Sequence, residues 1–325
     1  MDKVRVGIVG CGWFGNVHLD HLLQMEDVQV TGLAGSASQK REAMAQKAPG
    51  IGTWDTAEAM FASGTVDAAF ICIPPDAHGD MEFEAARHKI HLYVEKPVEL
   101  DLPKARAKEK ALKEAGVITA CGYHERYDPA MTALKNYLGS HPAGLATGQW
   151  MGNMPGALWW RQKGRSGGQV VEQCTHIFDL LRYFFGDAQS VFALPVTGLI
   201  QNVEAYDIED ASAAVVRFKN GLAASVQSAC YFNSEAMPKV GLQIYCTDSR
   251  VEYDWMKELR YMTKERTEVL AVRNDSHTLA AQAFIEAVRT GNPSGVRSDY
   301  SEGVNTLALT LAVNESMRTG QPVVL

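Results

Sequence analysis

Short, mostly apolar runs alternate with amphipathic stretches through the first 121 residues, a rhythm that predicts buried parallel strands joined by helices. The first run, Val4–Val9, reads as a buried strand, and runs at 28–33, 66–73, 90–94 and 117–121 repeat it. Helices are expected over 17–25, from the Lys40 region through 48, from a capped start at Asp55 with Glu58, and over 103–115. The third run ends in Pro74-Pro75, which cannot continue a central ladder and forces a turn. After Gly122 the rhythm changes. A helix over 129–138 leads into a Gly- and Trp-rich loop, and Gly167-Gly168 then opens a second helix that runs through Phe185. Strand-like runs follow at 191–194, 213–218, 223–229, 240–246 and 250–253, before closing helices over 277–290 and 301–319 that are expected to pack back near the first domain. The pattern predicts an α/β domain over residues 1–121 and an α+β domain on a mostly antiparallel sheet over 122–325.

Composition narrows the classes. At 325 residues the chain exceeds one usual core, consistent with two domains. The net charge of −7 supplies no broad basic field, so nucleic acid and anionic membrane are disfavoured as partners. No apolar run reaches membrane-spanning length, and the start, a strand containing Arg5, lacks the regions of a signal peptide; a cytoplasmic location is expected. Six cysteines without C-x-x-C spacing suit reduced thiols, so neither a disulfide nor a structural metal is expected.

The first strand runs straight into Gly10-Cys11-Gly12-Trp13-Phe14-Gly15, a G-x-G-x-x-G between strand and helix. In that setting Gly10 makes the tight turn, Gly12 admits a pyrophosphate and Gly15 lets helix and strand pack closely, so dinucleotide binding is expected. The end of the second strand carries Gly35 where an acid would hold the 2′-hydroxyl of NAD. Ser36, Lys40 and Arg41 instead suit a 2′-phosphate and favour NADP(H), with NAD(H) possible; the two cations alternatively form only a solvated helix start. Ile73, Pro74 and His78 follow the third strand; His78 is either a cofactor contact or an exposed residue of a first helical turn. Glu95-Lys96-Pro97 ends the fourth strand at the same carboxyl edge. Further along, Glu172, His176 and Asp179 are spaced to share one helix face. Such a histidine can exchange protons near neutral pH, although the pair is also a common surface arrangement; Asp179 reads as structural, and Cys174 as a small buried hydrophobe.

Taken together, the glycine loop, Glu95-Lys96-Pro97, Gly122-Tyr123-His124-Glu125-Arg126-Tyr127-Asp128-Pro129 and Gly167-Gly168-(x)3-Glu172-(x)3-His176-(x)2-Asp179 resemble the glucose-fructose oxidoreductase, inositol dehydrogenase and MocA family. The resemblance runs almost end to end. It implies a doubly wound Rossmann domain, a second domain with a large open sheet that often forms an oligomer interface, and a homodimer or homotetramer. It also implies a nicotinamide cofactor and a sugar, polyol or inositol substrate. Lys96 matches the family's catalytic lysine, His176 the histidine that exchanges the hydroxyl proton, and Lys96-Pro97 a bond commonly cis. Glu172 stands where many members have aspartate, which changes its reach as a catalytic partner. Tyr123, Trp160 and Arg161 join Lys96 and His176 as candidate substrate contacts, an indole face suiting a sugar ring and a guanidinium a hydroxyl or carboxylate; Trp159 serves either there or in packing. A redox-neutral glycoside cleavage and a non-catalytic dinucleotide sensor are the alternative activities within such a family.

Overall fold

The structure is a computed structural model that describes residues 3–232, 238–272 and 275–325. The chain divides into two compact units, one of residues Met1–His124 with His277–Val304, the other of Glu125–Ser276 with Asn305–Leu325. The sequence pattern suggests a boundary after residue 121 with the closing helices packing back near the first domain, and a return segment over His277–Val304 does belong with the first unit. Its reason is apolar: Phe284 lies edge-on to Phe70 and Tyr93, with ring centroids 5.6 and 5.9 Å away, in the same core.

In the first unit β1 (Val4–Val9), α1 (Trp13–Leu22), β2 (Val28–Ala34), α2 (Ser38–Ala45), β3 (Gly52–Trp54), α3 (Ala57–Ala62), β4 (Ala68–Ile71), α4 (Met81–His88), β5 (His91–Val94), α5 (Leu102–Ala115) and β6 (Thr119–Cys121) alternate as expected. The sheet order is β3-β2-β1-β4-β5-β6, and every neighbouring pair is parallel. Strand order therefore reverses beside β1, the place where such sheets bind ligands at their carboxyl edge. β3 was not expected, being only three residues long. The cap of α3 also differs from the Asp55 reading: Thr56 accepts from the Ala59 N–H at 3.2 Å, and Asp55 turns to Arg41 instead.

The second unit is built from α6 (Pro129–Leu138), β7 (Ala143–Met151), the short helices α7 (Lys163–Ser166) and α8 (Gln169–Glu172), α9 (Thr175–Phe185) and β8 (Ala188–Val196). Then come β9 (Ala211–Phe218), β10 (Ala223–Ala229), β11 (Lys239–Cys246), β12 (Arg250–Asp254), β13 (Glu258–Met262) and β14 (Thr267–Ala271). The return helix α10 (Ser276–Thr290), the long α11 (Tyr300–Thr319) and β15 (Val323–Val324) close the chain. Nine strands form one sheet in the order β14-β13-β12-β11-β7-β10-β9-β8-β15, antiparallel except where β7 pairs with β10.

Alternation sorts the faces of this sheet. Ala214, Val216, Phe218, Ala224, Val226 and Ile244 point into the core beneath α9, while Val215, its strand neighbour Phe192, Leu194 and Leu145 are exposed on the opposite face. Gly148 of β7 is required by this packing, because a Cβ there would stand 2.4 Å from Ile177 Cγ2 of α9. Among the described residues, no helix is long and apolar enough to cross a membrane.

Candidate active site

At the carboxyl edge of the parallel sheet the glycines divide the work as their spacing implies. Gly10 has φ +103°, and a Cβ there would meet the Cys72 carbonyl oxygen at 2.4 Å; one at Gly15 would meet the Gly10 oxygen at 1.9 Å. Gly12, which caps α1, has open space around its missing Cβ, and no side chain caps that helix nor does an acid occupy its first turn. The N–H groups of α1 are thus left to an anion, and the cradle fits the diphosphate of a dinucleotide. Trp13 is exposed beside the loop, Phe14 is half-buried, and Ile73 and Pro74 follow β4 across the turn from Gly10.

Beyond β2 the candidates split. Ser36 and Lys40 are exposed. The Arg41 guanidinium is almost buried, donating to the Gly35 carbonyl and pairing with Asp55 at 2.7 Å. The reading of His78 as an exposed residue of a first helical turn is corrected. His78 is fully buried, donates from Nδ1 to Glu82 Oε1 at 2.8 Å, and continues through Lys108 to Glu99 in an ionic chain inside the unit.

Lys96 is half-buried after β5, and its peptide bond to Pro97 is cis. The preceding Glu95 is buried: Oε1 accepts from His18 Nε2 of α1 at 2.7 Å, and Oε2 accepts from the Lys96 N–H at 3.3 Å. Gly122 makes room for this carboxylate, since a Cβ would sit 2.4 Å from Oε2. Burial pushes the Glu95 carboxyl up, but the hydrogen bond and charge of His18, with His277 and Lys96 nearby, outweigh it and hold the group below the usual range. One buried anion thereby ties the helix of the glycine loop to the strand end that carries the lysine. Tyr123, next to Gly122, is buried.

In the second unit, Glu172 and His176 do not share one regular helix as their spacing suggests. Glu172 ends α8, and His176 lies in the first turn of α9. Between them the Cys174 N–H bonds to the Gln169 carbonyl five residues back, and the His176 N–H bonds to Gln173 three back, so the regular i, i+4 register is lost. Glu172 Oε2 accepts a hydrogen bond from Trp160 Nε1 at 2.7 Å. Trp160 is itself buried among Ile208 and Cys230, so the open indole face expected of it for a sugar ring is absent; Trp159 and Arg161 are half-buried.

Asp179 is structural, as its residue type suggested. Its oxygens take Arg126 Nε at 2.8 Å and Nη2 at 2.7 Å, and Thr306 Oγ1 adds 2.9 Å. Stripping one partner from such a buried pair costs about 3–5 kcal/mol, which commits that carboxylate to the fold. The loop before α8 is clamped too: Lys163 Nζ donates to Glu209 Oε2 at 2.6 Å and Asn314 Oδ1 at 2.9 Å, and Asn314 Nδ2 to the Gly167 carbonyl at 2.8 Å.

Sequence reading did not single out the rings around His176. Trp150 of β7 and Trp255, just after β12, have centroids 5.7 and 5.3 Å from the imidazole. A strand pattern through 143–151 would have flagged Trp150, but Gly144, Gly148 and the polar Thr147 and Gln149 hide it and made that segment read as loop. His18 was missed too, although it stands on α1 with its ring toward the strand ends. The six cysteines are free thiols, and among the described residues no group of histidine, cysteine or acidic side chains could hold a metal ion.

Residues 4–123 match the family described as the oxidoreductase family, NAD-binding Rossmann fold, and residues 144–325 match its C-terminal alpha/beta domain. Among curated proteins, the chain is 26% identical to a scyllo-inositol 2-dehydrogenase (NAD(+)) of Bacillus subtilis, over 99% of this chain and 96% of that one. It is 22% identical to a myo-inositol 2-dehydrogenase of Thermotoga maritima, over 99% and 98%. Among solved structures, the WlbA dehydrogenase from Bordetella pertussis, in complex with NADH and UDP-GlcNAcA, superposes with a TM-score of 0.88 at 21% identity, covering 100% of this chain and 98% of that one. With the glycine cradle, the lysine-bearing strand end and both halves of the chain accounted for, the protein belongs to the glucose-fructose oxidoreductase, inositol dehydrogenase and MocA family of nicotinamide-dependent oxidoreductases.

Proposed function

We propose that the protein carries out reversible hydride transfer between a nicotinamide cofactor and a secondary alcohol carbon of a sugar, polyol or inositol. The observation that supports it most is the pairing, in one unit, of an open glycine cradle with a half-buried lysine whose strand end is fixed by the buried Glu95. The cofactor, when bound, supplies the hydride acceptor or donor. Gly10, Gly12 and the α1 N–H groups bind its diphosphate. His176 takes the hydroxyl proton during oxidation, and Lys96 stabilises the negative charge that develops on that oxygen. Glu172, whose Oε2 accepts from Trp160 Nε1, is the acidic partner of His176 in this reading. The test is a panel of sugars, inositols and sugar acids assayed with NADP and NAD. Turnover of a cyclic or linear polyol supports the reading; binding of dinucleotide with no turnover of any panel member contradicts it.

Within that reading, NADP is the preferred cofactor. No carboxylate follows β2 to repel a 2′-phosphate, and Lys40 and Ser36 are exposed there; Arg41 contributes less than its charge suggests, because Asp55 already neutralises it. Replacing Gly35 by Asp is expected to shift preference toward NAD. Equal or tighter binding of NAD by the unmodified protein, measured by titration calorimetry, overturns the preference.

The protein also works as a homodimer or homotetramer through the open face of the nine-stranded sheet. Phe192, Leu194 and Val215 expose an apolar patch on that face that association would cover.

A further inference from the structure

Two indoles, one from β7 and one from the turn after β12, meet at the His176 imidazole of α9. Trp150 stacks on the His176 imidazole with an interplanar angle of 20° and a centroid distance of 5.7 Å. Trp255 presents its ring at 61° and 5.3 Å, and the two indoles pack against each other at 64° and 5.2 Å. His176 itself is only 7% exposed.

The backbone around both indoles is fixed. Trp150 lies two residues past Gly148 on the same face of β7, where the absent Cβ lets α9 approach the sheet. Across the ladder Trp150 faces Val240, whose carbonyl accepts the Trp255 N–H at 3.0 Å. The next residue, Met256, has φ +55°, a left-handed conformation. Its N–H is held by the Tyr253 hydroxyl at 3.2 Å, and that hydroxyl in turn donates to the buried Glu125, which also accepts from Ser276 at 3.3 Å. Met256 lies in the three-residue turn that joins the antiparallel strands β12 and β13, where a left-handed residue is ordinary turn geometry, and the buried hydrogen-bond chain fixes that turn directly beside the indole that abuts His176.

We propose that Trp150 and Trp255 are positioning residues for His176: the two indoles confine the imidazole to one orientation, in which it receives the substrate proton. This deepens the function proposed above and rests on it. Stacking on one indole and edge contact with the other block rotation of the ring about its Cβ–Cγ bond, and the π faces accommodate the imidazolium that forms when the proton arrives. Acting through the imidazole, the indoles contribute to turnover and not to substrate affinity.

The test compares Trp150→Leu, Trp255→Leu and Trp255→Phe with the wild-type enzyme, using an alcohol found with the panel and saturating dinucleotide. Each Leu variant is expected to lose about 10- to 100-fold in kcat, the scale of a misplaced catalytic group, with KM little changed. Trp255→Phe, which restores an aromatic wall, is expected to recover most of the loss. A rise in KM with kcat preserved overturns the proposal, because the indoles would then be substrate contacts; so does an unaltered kcat in both Leu variants. A readout without turnover runs beside it. In ring spectra of histidine-labelled protein, assigned with His176→Gln, the His176 signals are expected to be displaced by the indole ring currents and to revert in both Leu variants. Signals that stay in place on loss of either indole overturn the proposal even if the enzyme is active. Displaced signals that revert, in a protein that oxidises no alcohol, support the ring geometry and count against the proposed function alone.

Discussion

His277 is held neutral by its surroundings. Burial, and then repulsion by the stacked His124 ring 3.5 Å away, lower its pKa to about 3. An unfolded chain would protonate it near 6.5, so the unfolded state binds the extra proton first as pH falls. The stability held by neutral His277 is therefore complete above 6.5 and lost progressively from there down to about 3. Thermal melts across that window are expected to show a steep fall in Tm for the wild type and a shallower one for His277→Phe, which keeps a ring against His124. Parallel falls in the two proteins would remove His277 from the acid response. At this scale the sequence was partly legible. Motif order led to the tight turn at Gly10, the open approach at Gly12 and a structural Asp179. Partners could not be read: His78 is spent on Glu82, Arg41 on Asp55 and Trp160 on Glu172, each a contact that depends on which buried charge or dipole needs compensation.

Among the elements, β7 and the α8–α9 pair decide where the chemistry of the second unit sits. Apart from the three-residue β3, the parallel strands of the first unit were legible because apolar residues dominate each run. β7 was not, because Gly144, Thr147, Gly148 and Gln149 break its alternation, although two of those breaks serve packing or exposure rather than loop structure. The i, i+4 spacing of Glu172 and His176 likewise misled, since one bond reaching five residues back resets the helix between them. Gly148→Val puts a branched side chain where Ile177 already stands and is expected to cost about 1–3 kcal/mol, the usual penalty for overpacking. Urea denaturation measures it; a variant as stable as the wild type would mean that α9 does not pack on β7 as closely as described.

For the molecule as a whole, two folding units and one open sheet face set the expectations. The sequence rhythm separated an alternating half from a strand-rich half and led to the expectation that the closing helices pack back near the first domain; the segment His277–Val304 does belong with the first unit, where Phe284 meets Phe70, but the point at which the chain leaves that unit again was not legible. Side-chain direction also had to come from the structure: of Val215, Val226 and Ile244, only Val215 faces outward. If the open face mediates assembly, the double variant Phe192→Glu/Val215→Glu should be monomeric by light scattering while still binding dinucleotide. A wild-type protein that is itself monomeric at micromolar concentration contradicts the assembly.

The division of labour between Lys96 and His176 is tested most directly by kcat as a function of pH, for the wild type, Lys96→Ala and His176→Ala. Lys96→Ala is expected to lose ~100-fold or more in kcat while keeping its cofactor affinity and its pH limb, because it removes charge stabilisation that matters only in the transition state. His176→Ala is expected to lose roughly 100- to 10,000-fold and to lose the limb that reports ionisation of the base. Near-normal turnover of His176→Ala with an unchanged limb would contradict the account and move the proton to another group.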